Sequence, residues 1–276
     1  IELEDANEIY AVSDPHGGAK ELAALLAANH LISGTEWRGG TAILVVTGDL
    51  IDKGADSLGV IDLLRTLEPK AKAKGGRIIV TMGNHEAEFL ADPQNKKAAA
   101  GIDVELAAAK LDPAELARGA DAKGRGRWLI DLPFGVRIKK WFFAHGGNTA
   151  GDPVALLEKK LQAGFADHGF ADKAITGKDS ILEAQAWYGK QSKDDTAKRY
   201  ADVLGVKHIA FGHDPGAFGD HGHILASKDG TLVKLDVSMG LTEKNAVTSG
   251  LLLHIKTKGA DSAEILDASG AATPLL

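Results

Sequence analysis

Cysteine is absent from this chain of 276 residues. Its absence excludes disulfides, zinc-thiolate sites and thiol catalysis, so any metal must be held by His, Asp, Glu or Asn. Long apolar runs are missing as well. The longest uninterrupted aliphatic stretch, Ala42 to Val46, falls far short of the ~20 residues that cross a bilayer, and no membrane span is expected. Excess positive charge is also lacking. The formal net charge is -6, whereas a nucleic-acid backbone usually recruits a basic surface, so no nucleic-acid partner is expected. There is no internal repeat, heptad pattern or low-complexity tract. The first residue is Ile, not Met, which reads as a trimmed chain or as a mature protein after loss of an export signal; cytoplasmic and exported locations both stay open.

What is present reads as an ordinary globular α/β protein. Hydrophobic residues make up 44% and charged residues 25%, and no segment has the composition of a linker, so one domain over residues 1–276 is expected. Several short apolar runs end in polar clusters and then give way to helical spacing. "IYAVSD" leads to "PHGG" and a helix through "AKELAALLAANH"; "TAILVVTGD" leads to "LIDKGAD", after which Val60, Ile61, Leu64 and Leu67 recur at helical spacing. "RIIVTMG" leads to "NHE". "WFFAHGG" is followed by "DPVALLEKKL", where Asp152 predicts an N-cap and Pro153 the first helical position. The Ala-rich stretch at about 86–126 predicts a helical insert, with Asp112, Pro113 and Glu115 marking one start, that either caps a site or lies at the periphery. Near the C-terminus, "HILASKDGTLVKLDV" alternates about Asp229-Gly230 as a hairpin would, and "GLLLHIK" and "AEILDAS" predict closing strands.

The polar clusters at these strand ends are Asp14 with His16, Asp49 with Asp52, Asn84 with His85, then His145, then His213. All are suitable ligands for Mn, Fe or Zn, and a carboxylate such as Asp49 can bridge two cations through its two oxygens. A lone Asp-x-His, or one His after an apolar strand, is more often a cap or a satisfied core group. Five such clusters in order at successive strand ends favour a two-metal site.

"DPHGG", "GDLIDKG", "GNHE", "HGG" and "GHDPG" resemble the ordered signature of the calcineurin-like metallophosphoesterases, specifically the phosphoprotein phosphatase (PPP) type. "RGRWLIDLPFGVRIKKWFFAHGG", "AWYG" and "LVKLDVSMG" make the chain most similar to the Shewanella-like phosphatases of bacterial origin. The resemblance implies a four-layer α/β/β/α sandwich of two mixed sheets flanked by helices. It implies that Asp14 and His16 hold one divalent metal, that Asp49 bridges two, and that Asn84, His145 and His213 hold the second, with Mn the expected ion and Fe or Zn as alternatives. It further implies attack on phosphorus by a hydroxide held between the metals. His85 matches the histidine that protonates the leaving oxygen and Asp52 the carboxylate that orients it, while Asn84, His85 and Lys53 would contact the substrate phosphate. The residues themselves leave other roles open: a seventh metal ligand or buried hydrogen-bonded group for His85, a helix cap for Asp52.

Two positions depart from the family pattern, and a third sets the chain apart from the rest of the superfamily. Lys53 stands where "GDxxDRG" has Arg, replacing a planar fork by a flexible point charge. Gly189 stands where a second phosphate-clamping Arg is expected, with Lys190 or Arg199 as candidates to replace it. Pro215 stands where nucleases and cyclic phosphodiesterases of the superfamily place a further ligand His, which favours the PPP branch. His221 and His223 read as loop residues or as additional contacts. The expected activity is that of a monomeric phosphomonoesterase acting on a phosphorylated protein or peptide, at Ser/Thr or Tyr. The rivals are an esterase of small phosphoesters, such as a dinucleoside polyphosphate or cyclic nucleotide, and a non-catalytic binding protein.

Overall fold

The computed structural model describes residues 1–95, 101–189, 195–243, 246–258 and 262–276. Strands Glu8–Val12, Ile43–Val46 and Arg77–Val80 run parallel. Leu252–Lys256, Ser262–Leu266 and Ala272–Pro274 extend the same sheet antiparallel from the Glu8–Val12 side, giving six strands. A second six-stranded sheet runs in the order Glu2–Leu3, Gly135–Ile138, Trp141–Ala144, His208–Phe211, Leu232–Lys234, Leu225–Ala226. It too is mixed, because Gly135–Ile138 and Leu225–Ala226 are antiparallel to neighbours that otherwise run parallel.

Successive side chains of a strand point to opposite faces, and here each face meets a different core. Ile9, Ala11, Ile43, Val45, Ile79 and Leu253 meet Val136, Trp141, Phe143, Ala210 and Val233 between the two sheets. Their neighbours Val12, Leu44, Val46, Ile78, Phe142, Ile209 and Phe211 face outward, onto helices. Strands covered on both faces must be apolar throughout, which is why Ile43–Val46 reads ILVV and Trp141–Ala144 reads WFFA. Each such side chain, fully buried, contributes roughly 1.5–3 kcal/mol. Helix Ala19–Ala28 buries Leu22, Leu25 and Leu26, and helix Ser57–Ala73 buries Val60, Ile61, Leu64 and Leu67, the positions whose spacing predicts them. The resulting layers are those of the expected α/β/β/α sandwich.

The hairpin about Asp229-Gly230 pairs Leu225–Ala226 with Leu232–Lys234. One helix boundary differs from expectation. Helix Val154–His168 begins with Pro153 in the cap position, because Pro153 is extended at ψ 156 and Asp152 is held one step earlier in a turn onto the Thr149 carbonyl. After helix Asn84–Ala91, helices Ile102–Ala108 and Pro113–Ala117 occupy the Ala-rich stretch, and Asp112 accepts the Ala114 N–H at 2.8 Å as an N-cap should. Among the described residues no helix is long and apolar enough to cross a membrane.

Candidate metal centre

Strand ends from both sheets converge on one edge of the sandwich. Asp14 and His16 follow Glu8–Val12, Asp49 follows Ile43–Val46, and Asn84 opens the helix after Arg77–Val80; His145 and His213 follow Trp141–Ala144 and His208–Phe211 of the other sheet. Asp14, His16, Asp49, Asn84 and His145 are buried, and His213 is half-buried. Backbone strain is concentrated here. Asp14, His16, Asp49, Asp52, Lys53 and His213 all have φ between 39 and 67°, a left-handed conformation that non-glycine residues adopt only when surrounding structure holds them in it. Close approach is enforced at the crossing of two loops: a Cβ on Gly48 would lie 2.4 Å from the Gly83 nitrogen, and one on Gly83 would lie 2.2 Å from the Asp49 nitrogen.

Asp49 lies at the middle of the cluster. One carboxylate oxygen is 3.3 Å from His145 Nε2, and the other is 3.5 Å from His16 Nε2 and 3.8 Å from His85 Nε2. Donor atoms of His16, Asp49 and His85 fall within 4.8 Å of one another, as do those of Asp49, His145 and His213. Asn84 Oδ1 stands 2.9 Å from His145 Nε2 and 3.1 Å from His213 Nδ1, on the second of these groups. Asp14 Oδ1 is 4.0 Å from His16 Nε2, and its carboxylate accepts the Ser13 hydroxyl and, at 3.2 Å, the His213 N–H.

Backbone carbonyls fix which nitrogen of each imidazole faces inward. His16 Nδ1 donates to Ile51 O at 3.0 Å and His145 Nδ1 to Thr47 O at 2.8 Å, which turns both Nε2 atoms into the cluster. His213 is reversed, with Nε2 donating to Glu183 O at 3.1 Å and Nδ1 facing Asn84. Such outer partners orient metal-ligating imidazoles. Burial takes His16 and His213 down to about 3, so both are neutral and able to donate a lone pair. For Asp49, burial works against the charge, but His145 and then His85 outweigh it and hold the carboxyl well below its usual range. Burial, with Asp236 next, pushes Asp14 well up. Burial opposes charge on His145, but Asp49 and then Asp14 outweigh it and push its pKa up to about 10, so this imidazole must give up a proton before its Nε2 can bind a cation. A set of two carboxylates, an amide oxygen and three imidazoles, grouped in two lobes around one shared carboxylate, suits two divalent cations.

The expected acid pair is in contact. His85 Nδ1 lies 2.8 Å from Asp52 Oδ2, which leaves Nε2 turned toward Asp49 and the centre. Burial lowers the tendency of His85 to charge, yet Asp49 and the hydrogen bond that His85 donates to Asp52 outweigh it and raise its pKa.

Glu86 was not singled out by sequence, although it closes the "GNHE" motif. It is fully buried, and its carboxylate accepts four backbone N–H groups: Gly83 at 3.0 Å, Asp49 at 2.9 Å, Leu50 at 2.8 Å and Ile51 at 3.2 Å. One side chain thereby fixes the loops that carry Asp49 and Asn84. Burial and then Asp49 push Glu86 up to about 7, while the four donors favour its ionised form. Lys234, wholly buried, is a second unpredicted tie. Its ammonium donates to Pro215 O at 2.9 Å and Asp220 O at 2.7 Å, behind the loop that follows His213.

A cavity of about 530 Å³ opens onto the cluster, lined by Asp49, Asp52, Lys53, Asn84, His85, Gly101, Glu183, Gln185 and His213. Lys53 is at hand for a substrate anion and donates to His16 Nε2 at 2.9 Å. The remaining candidates are elsewhere. Arg199 is exposed and donates to Thr196 Oγ1 at 2.8 Å, His223 pairs with Asp220 at 2.9 Å, and neither these nor His221 line the cavity. Lys190 lies outside the described residues. Gly101, Glu183 and Gln185 carry no local sequence signal for the cavity.

The chain is similar to known proteins at this level of sequence and fold. It is 33% identical over 85 residues to Shewanella-like protein phosphatase 2 of Arabidopsis thaliana, covering 30% of this chain and 22% of that one. It is 32% identical over 143 residues to the symmetrical bis(5'-nucleosyl)-tetraphosphatase of Escherichia coli, covering 51% of this chain and 43% of that one. Thus the chain spans less than half the length of the curated relatives it matches. Its fold superimposes on the crystal structure of a cold-active protein-tyrosine phosphatase from a psychrophilic Shewanella with a TM-score of 0.80 at 20% identity, covering 100% of this chain and 82% of that one. Residues 8–217 match the family described as calcineurin-like phosphoesterase, and it is to this family that the chain belongs.

Proposed function

We propose that the chain is a phosphomonoesterase of the PPP type that uses two divalent cations, Mn foremost, and acts on a phosphorylated protein or peptide. The observation that carries this reading is the position of Asp49, one oxygen toward His145 and the other toward His16, with the His85–Asp52 pair beside it. In this reading Asp14, His16 and Asp49 hold one cation, and Asp49, Asn84, His145 and His213 hold the other. Cations bound there would supply Lewis acidity, lowering the pKa of water and neutralising charge on phosphoryl oxygens. The chain's own groups do the rest. Lys53 and the Asn84 amide orient the phosphate, and as a water-derived oxygen bonds to phosphorus and the ester P–O bond breaks, His85 gives the proton on Nε2 to the departing oxygen. Asp52 accepts the Nδ1–H, keeps that tautomer and stabilises the imidazolium before transfer. Residues 1–276 form one domain in this reading, acting as a monomer, with the stretch at about 86–126 as a helical insert that walls the cavity.

The similarity to a bis(5'-nucleosyl)-tetraphosphatase supports a second reading, a hydrolase of small phosphate compounds such as a dinucleoside polyphosphate or cyclic nucleotide. A substrate panel separates the two: phosphotyrosine, phosphoserine and phosphothreonine peptides, para-nitrophenyl phosphate, its bis ester and diadenosine tetraphosphate, each with and without Mn. Phosphopeptide turnover at the highest kcat/KM is the expected result. Preference for diadenosine tetraphosphate would establish the second reading, and hydrolysis of the bis ester alone would eliminate both monoesterase and anhydride chemistry.

A further inference from the structure

Asp52 divides its two oxygens between the acid and the insert. Oδ2 holds His85 Nδ1 at 2.8 Å, whereas Oδ1 accepts the Ile102 N–H at 3.3 Å; burial raises the pKa of Asp52, opposed first by His85 and then by the backbone N–H groups of Ile102 and Gly101. Both donors belong to the start of helix Ile102–Ala108. The fit leaves no room for a side chain, since a Cβ on Gly101 would lie 2.8 Å from the Lys53 nitrogen and 3.0 Å from Asp52 Cα, both backbone atoms.

A second tie holds the insert in place from one turn further along. Glu105 accepts the Ser57 N–H at 2.7 Å and the Leu58 N–H at 2.9 Å, two free donors at the start of helix Ser57–Ala73. The cap residue Asp56 accepts only the Gly59 N–H, at 2.9 Å, so Glu105 supplies acceptors that the helix lacks locally. Ser57 in turn receives the Asp52 N–H on its hydroxyl at 3.2 Å. Ile102 and Leu106 are fully buried beneath. Asp52 is therefore gripped at its carboxylate by Gly101 and Ile102, and at its backbone by the residue that Glu105 caps.

We propose that Gly101, Ile102 and Glu105 are positioning residues for proton delivery: the insert fixes the plane of the Asp52 carboxylate and, through it, the aim of the His85 imidazole. The proposal rests on the reading of His85 as the acid. When the departing oxygen is strongly basic it needs that proton, and when it is weakly basic it does not. Loosening the insert then slows poor leaving groups selectively, whereas damage to the metal cluster or to general packing slows all of them.

The test is kcat for phenyl, para-nitrophenyl and dinitrophenyl phosphates with wild type, Gly101→Ala, Glu105→Ala, Glu105→Gln and His85→Asn, each assayed for bound Mn. Gly101→Ala and Glu105→Ala are expected to lose about tenfold more on phenyl than on dinitrophenyl phosphate, part of the 10²- to 10⁴-fold that a general acid contributes. Glu105→Gln, whose amide oxygen can still accept, falls between them and wild type. Mn content stays at the wild-type level. An equal loss on all three esters, or loss of Mn in step with activity, would overturn the proposal, and the two Glu105 variants decide it if Gly101→Ala does not fold. His85→Asn separates the two levels of argument. Selective slowing of phenyl phosphate in His85→Asn but not in the insert variants overturns the proposal alone; no selective slowing in His85→Asn removes the acid and the proposal together.

Discussion

The ligand-bearing strand ends and the rim of the cavity are built by opposite rules. At the strand ends the inward groups are buried, His213 by half, and their outer atoms are occupied: His16 by Ile51, His145 by Thr47, Asp49 by the loop that Glu86 ties. At the rim, Lys53, Glu183 and Gln185 are partly or fully open to solvent, and Gln185 reaches His213 Nε2 only at 3.4 Å. The difference teaches that chemistry and selectivity are separable here. In the proposed reading, strain held by a packed scaffold fixes the reacting groups, and substrates would be distinguished where the scaffold ends.

The strongest way to break this comparison is at its centre. Asp49→Asn removes the one carboxylate shared by both lobes, and kcat should fall by about 10⁴ or more, with fewer than two metals retained by elemental analysis after Mn saturation. Unchanged stoichiometry would mean that Asp49 does not bridge. His85→Asn should cost about 10³ on alkyl phosphates while both metals remain bound; parallel loss of metal would recast His85 as the third donor beside His16 and Asp49. Glu86→Gln probes the scaffold alone. Its amide offers one acceptor oxygen and two unwanted donors to four N–H groups, so Mn affinity should weaken about 10- to 100-fold in a metal titration, with a lowered Tm. The rim should respond least. Lys53→Arg restores a forked donor, and the expected result is a KM several-fold lower on para-nitrophenyl phosphate at nearly constant kcat. If kcat moved instead, Lys53 would belong with the rigid set.

The same division governs what sequence reveals. Asp14, His16, Asp49, Asn84, His145 and His213 were legible because each follows an apolar strand in a fixed order, so local pattern and tertiary position coincide. The two-sheet sandwich was less so: alternation within ILVV or WFFA cannot be read when both faces are apolar, and only the resemblance supplied the second sheet. Glu86 stood in view inside a quoted motif, but a Glu three residues past a glycine reads as an ordinary helix start, and its other three partners lie 35 to 37 residues upstream. Lys234 sits in an alternating strand where a lysine predicts exposure; the carbonyls that keep it buried come from a loop whose path no pattern specifies. Glu105 lies 48 residues from the Ser57 N–H it accepts, in a short helix that carries a second acidic residue, Asp103, on its open side. Long-range caps of that kind leave no periodic trace.

The link between His213 and Asp14 spans 199 residues, and that between His145 and the Thr47 carbonyl spans 98. A cation held by Asp49, Asn84, His145 and His213 would join two strand ends of one sheet to two of the other, in a chain that has no cysteine with which to do so covalently. The ion would take the part of a cross-link, but a reversible one whose contribution grows with its free concentration as RT ln(1 + [L]/Kd). Metal supply would then set how long the two sheets stay together as well as how fast the site turns over, and a chelator should lower the unfolding temperature of a chain that has not yet met a substrate.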